Sequence, residues 1–180
     1  MKKLGLTIVL VVNAFLIQAQ TLYSTSKGTV SFYSDAPLET IEGTNSKVAG
    51  IINADTRELA MQMRIIDFEF SNKLMQEHFN ENYLESEKFP NGTFKGKIKE
   101  SVDLKTAGTY PVTATGTLMI HGVSKEVAVP GTIVSTGTEL KLDFKFPVKL
   151  EDYQVEIPTL VFQKIAEVVE VTGKMTLLKK

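Results

Sequence analysis

The chain has 180 residues, 20 Lys and Arg against 21 Asp and Glu, two His, and neither Cys nor Trp. The lack of cysteine excludes disulfide staples, thiolate metal sites, a cysteine nucleophile and a lipid anchor on cysteine. Near-neutral charge excludes a partner held by a strong positive field, such as nucleic acid or a sheet of anionic headgroups.

The first element is the segment 1–19, where Lys2 and Lys3 precede the apolar run "LGLTIVLVVNAFLI". A basic start and a short apolar stretch describe a secretory signal. The run from Leu4 to Ile17 is shorter than the roughly 20 residues that a membrane-spanning helix needs. Cleavage is expected after Ala19, which gives a periplasmic or secreted protein without stable membrane insertion. Removing Lys2 and Lys3 leaves 18 basic against 21 acidic side chains. Residues 20–180 read as one domain, since no linker, charge block or low-complexity tract divides them.

Period-two alternation then dominates. "TVSFYS" near residue 30 and "NSKVAGII" near residue 50 are weak strand candidates, followed by "LAMQMRI" with Leu59, Met61, Met63 and Ile65 on one face. The pattern breaks at "SNKLMQEHFNENYL", residues 71–84, where Leu74, Met75, His78, Phe79 and Tyr83 recur at helical spacing behind Ser71 or Asn72 as N-cap. Strands resume with "TFKGKI", "VTATGTLMI" and "VAVPGTI". The clearest is "LKLDFKFPVKL", where Leu140, Leu142, Phe144, Phe146, Val148 and Leu150 alternate with a lysine-rich wet face. A second helical turn is expected over 159–167 after Pro158, and "VEVTGKMTL" closes the series. Turn chemistry stands between the runs at 53–56, 90–92, 106–108, 121–122 and 135–138. About eight antiparallel strands in succession favour a meander closed into a barrel, because closure removes exposed edges.

The sequence carries no motif for catalysis. His78 and His121 stand in no metal-ligand spacing, and no nucleophile elbow, phosphate loop or dinucleotide fingerprint occurs. The chain is therefore expected not to be an enzyme and to need no cofactor or metal. His121 lies in "HGVSK" between two alternating runs, where a histidine hydrogen-bonds the turn or faces solvent.

Two stretches are similar to a known family. "GTLMIHGVSKEVAV" resembles the hairpin signature of the YceI-like proteins, and "MQEHFNENYLESEKFPNGTFKGKI" resembles their second signature, through His78, Phe79, Leu84, Phe89, Pro90 and Phe94. The likeness spans roughly residues 27–178. It departs at Met75, Gln76 and Glu77, where the family usually carries an Arg-Asp pair. The resemblance implies an eight-stranded antiparallel lipocalin-like barrel with one short helix at about 71–84. It also implies a long isoprenoid or fatty-chain lipid held in the interior, and commonly a homodimer.

An eight-stranded barrel is just wide enough to be filled by side chains or to hold one small ligand. Gly96, Gly116, Gly131 and Gly173 all fall in the inward register, where they either leave space for a ligand or mark bends of the sheet. Methionine lines adaptable pockets and is also ordinary core material. The residues expected to meet a ligand are Met61, Met63, Leu74, Met75, His78, Phe79, Phe94, Gly116, Leu118, Phe144, Phe146, Gly173 and Met175. The function expected is binding of an apolar or amphipathic chain for transport, storage or stress response. The alternative is an envelope interaction or stress-protection domain with a filled barrel.

Overall fold

A computed structural model describes residues 20–158 and 164–180. It contains eight strands: β1 (Leu22–Asp35), β2 (Thr40–Asn53), β3 (Glu58–Arg64), β4 (Asn91–Ile98), β5 (Gly108–Ile120), β6 (Val123–Ser135), β7 (Glu139–Lys149) and β8 (Val168–Lys179). Each pairs antiparallel with the next, and β8 returns to β1, so the sheet closes. The expected signal and the first part of the expected turn over 159–167 lie outside the described residues; 164–167 form a turn rather than a helix.

The alternation in β7 sets one layer of the interior. Leu140, Leu142, Phe146 and Val148 are buried while Lys141, Asp143, Lys145 and Lys149 are exposed. β1 and β2 run to 14 residues each, well beyond their weak sequence signals. Register shifts on either side of Gly28 interrupt the alternation that would have announced them.

One end of the barrel is stoppered. Tyr23, Ile52, Leu104, Leu140 and Leu177 are fully buried there. The Tyr23 hydroxyl donates to the Gly137 carbonyl at 2.7 Å, and the Ser135 hydroxyl donates to the Leu104 carbonyl at 2.7 Å. These two bonds tie the β6–β7 turn and the 99–107 loop across the floor and satisfy polar groups that burial would otherwise leave costly.

At the other end the chain leaves β3 through a short turn (Ile65–Asp67) and reaches α1 (Lys73–His78). Asn72 caps α1, its side-chain oxygen accepting from the amides of Leu74 and Met75. The helix then widens into a π turn over Phe79–Tyr83, where the Leu84 amide donates to the Phe79 carbonyl at 2.9 Å. Phe79 and Tyr83 face the barrel interior, whereas Leu74, on the first turn of α1, is 58% exposed. The single apolar face expected for 71–84 is therefore split.

The inward glycines are occupied from the side. Gly96 and Gly116 are direct partners across β4 and β5. A Cβ on Gly116 would overlap the Lys95 carbonyl and the Gly96 Cα. The Phe144 ring fills the place of a side chain at Gly173, and a Cβ at Gly131 would stand 2.7 Å from the Asp143 carbonyl oxygen. These positions permit close backbone approach and a seated ring rather than open space, which corrects the hollow reading of Gly116 and Gly173. Gly116→Leu and Gly173→Leu are expected to lower stability by about 1–3 kcal/mol or more through overpacking, seen as a fall in melting temperature. Full stability of either variant would mean that the strands stand further apart than described.

Candidate ligand cavity

Above the stoppered floor the interior holds two cavities. The inner one, of about 110 Å³, is bounded by Met61, Phe94, Leu118, Phe144, Phe146 and Met175 among a wall in which only Gln62 and Thr93 carry polar side chains. The outer one, also about 110 Å³, lies under α1 and the π turn and is walled by Met75, Phe79, Tyr83, Ile41 and Tyr153. Met63, Ile120, Val148 and Val171 border both and form a waist between them. For scale, an engineered apolar cavity of about 150 Å³ stays dry and takes up benzene.

Aromatic packing closes the helix end. Phe79 stacks on Phe32 at 5.4 Å between centroids, with Phe68 at 5.3 Å and Phe70 at 4.9 Å from it. Such offset and tilted pairs suit the ring quadrupoles. Phe32 and Phe70 both lean over Gly43, whose missing side chain makes room for them. Sequence reasoning found Phe79 and missed the other three. Their signal was present in the spacing of Phe68 and Phe70 two residues apart, outside any recognised strand.

Of the residues expected to meet a ligand, Met61, Met63, Phe94, Leu118, Phe144, Phe146 and Met175 border the inner cavity, and Met63, Met75 and Phe79 border the outer one. Four do not come to either. Leu74 points to solvent, His78 is half-buried at the C-terminal end of α1 without bordering a cavity, and Gly116 and Gly173 lie beneath their neighbours.

His121 sits in the β5–β6 turn as expected, in the left-handed region with φ 51°, followed by Gly122 at φ 73°. Its ring, however, does more than decorate the turn. The side chain is only 11% exposed, Nε2 stands 2.8 Å from a Glu85 carboxylate oxygen, and Nδ1 stands 3.1 Å from the Tyr153 carbonyl. Both partners are acceptors to which a ring N–H can donate. Phe89 packs edge-on against the ring at 4.6 Å. One side chain thus ties together the segment after the π turn, the β5–β6 turn and the turn Leu150–Tyr153. The sequence hides this clamp because its members are 36 and 32 residues away from His121.

The hydrogen bond to His121, ahead of the nearby Lys88 charge, holds the Glu85 carboxyl below its ordinary value of 4.5. The depressed value means that the folded state prefers the ionised form. The resulting stabilisation is whole above pH 4.5 and is lost as the pH falls through the lowered value. Glu85→Gln is therefore expected to melt below the parent at neutral pH and to converge on it in acid. A gap that stays constant down to low pH would show that the clamp does not depend on the carboxylate.

Among the described residues no group of three or more His, Asp or Glu is placed to hold a metal, and no helix is long and apolar enough to cross a membrane. A closed eight-stranded antiparallel barrel with an apolar interior and one short helix defines a protein of the lipocalin-like barrel class. Within that class the chain belongs to the YceI-like domain family, whose model matches residues 23–177.

Solved structures share the fold at low identity. BcnA of Burkholderia cenocepacia is 20% identical with a TM-score of 0.70, over 84% of this chain and 96% of that one. A polyisoprenoid binding domain from Saccharophagus degradans implicated in plant cell wall breakdown is 15% identical with a TM-score of 0.76, over 90% and 100%. A Campylobacter jejuni YceI protein is 15% identical with a TM-score of 0.60, over 100% and 99%. No curated protein matches the chain.

Proposed function

We propose that this protein binds a long-chain apolar or amphipathic lipid, an isoprenoid or a fatty chain, inside the barrel and without catalysis. The observation that carries this reading is the pair of apolar cavities in line above a closed floor, separated only by the waist at Met63, Ile120, Val148 and Val171. Met63 is unbranched and can repack, so a modest displacement at the waist joins the two spaces into one slot suited to an extended chain. Each CH₂ removed from water contributes about 0.8 kcal/mol, so a chain filling both cavities is held without any polar anchor, less the cost of ordering it. Membership of the YceI-like family and the likeness to a polyisoprenoid binding domain support the same class of ligand.

Native mass spectrometry of mildly purified protein, followed by organic extraction, is expected to find a co-purifying long-chain amphiphile. An empty barrel that refuses fatty acids and isoprenoids alike would favour a surface interaction role instead. The basic and apolar start of the chain supports export, so the mature protein is expected to begin near Gln20 and to fractionate with periplasm or medium. Intact Met1 on cytosolic protein would overturn that expectation.

A further inference from the structure

The two shortest ladders of the barrel are finished differently. β2 and β3 are paired only from Ala49↔Gln62 to Ile52↔Leu59. Their seam is closed further along by the fully buried Asn45, whose Nδ2 donates to the Arg64 carbonyl at 2.8 Å, and by the bridge Thr44↔Glu69. β6 and β7 are paired only from Gly131↔Phe144 to Ser135↔Leu140. Beyond Gly131, residues 123–130 of β6 pair with β5, and 145–149 of β7 pair with β8. Among the described residues no backbone hydrogen bond crosses this part of the seam.

The sequence on both lips is that of a guarded free edge. Pro130 immediately precedes Gly131, where the pairing of β6 with β7 begins, and Pro147 lies on the facing stretch of β7. Proline lacks an N–H and within sheets is confined to edges, strand starts and bulges. Lys125 lies opposite Leu118, in the inward register of β6, yet is exposed. Prolines and inward-pointing charges keep an open edge from pairing with another chain. This seam is built to stay open.

Directly behind it is the inner cavity, to which Val129 contributes from one lip and Phe146 and Val148 from the other. The helix end, in contrast, is closed by the phenylalanine cluster and the His121–Glu85 clamp. Lys125 has no acidic side chain within ion-pair distance among the described residues, and its neighbour Glu126 accepts from the Thr117 hydroxyl.

We propose that the open seam between β6 and β7 is the portal by which an apolar chain reaches the inner cavity, with Lys125 at its lip receiving an anionic head, a carboxylate or a phosphate. This rests on the lipid-binding reading above. A chain lying with its tail in the cavity meets one cation on the way out.

The chain has no cysteine of its own, so a pair at Val129→Cys and Phe146→Cys can be bridged cleanly by a short thiol crosslinker. These positions would face each other if the ladder continued. Bridging is expected to abolish the rapid uptake of dansylated undecanoic acid, followed by stopped-flow fluorescence, that the same variant shows before the crosslinker is added. Pro130→Val with Pro147→Val, which restores the missing donors, is expected to slow uptake in the same sense. Lys125→Ala is expected to lose the parent's preference for a dansylated acid over the corresponding dansylated alcohol. Hydrogen exchange needs no ligand, and the β7-facing amides within 124–129 are expected to exchange far faster than the matching amides of Thr132 and Val134.

Uptake unaffected by the bridge, or blocked instead by a bridge between Glu85→Cys and His121→Cys, would overturn the portal while leaving the lipid reading intact. Uniform protection along β6 would overturn it as well. A parent that takes up no probe at all would overturn the lipid reading and the portal together.

Discussion

Curling eight strands into a narrow barrel brings neighbouring backbones closer than a side chain on each would allow, and this chain meets that constraint at Gly96 and Gly116. The two are direct partners, and neither has room for a Cβ. A similar solution recurs where the Phe144 ring lies across Gly173, so that one strand supplies the volume that its neighbour gives up. These contacts let the sheet coil tightly enough to close, and closure fixes the cross-section of everything inside. The inner cavity is then what remains after Phe144, Phe146 and Met175 have been seated.

Polar groups are placed at the ends of this apolar column rather than along it. At the floor they stitch loops together through Tyr23 and Ser135. At the helix end His121 joins three segments that share no backbone ladder. The wall between consists of side chains that offer a guest shape and little else, and selectivity in such a space is a matter of length and girth. Any discrimination by charge must come from the rim.

The strands were legible wherever alternation ran unbroken, as from Leu140 to Val148, because period two is a direct consequence of one dry face. β1 and β2 were less so, since Gly28 and its flanking irregularities shift the phase midway. The helix was visible by spacing, but its π turn was not, since widening depends on what Phe79 packs against rather than on local pattern. The glycines were seen and left open between two readings, because an inward glycine looks the same in sequence whether space or a neighbour's ring lies over it. His121 was correctly placed in a turn, and its reach to Glu85 and Tyr153 was invisible, since nothing local marks a contact made by tertiary folding. Pro130 and Pro147 were plainly readable, but only the paired register shows that they stand on facing lips.

The stopper formed around Tyr23 and Leu104 makes the molecule a pouch rather than a pipe. Nothing can traverse it from end to end, so no gradient can be relieved through it and no flow can be sustained. Whatever is lodged inside must be withdrawn tail last, along the route by which it arrived. On the lipid-binding reading, loading and unloading would share one mouth, and exchange of a guest would be paced by encounters at that mouth rather than by passage through the barrel.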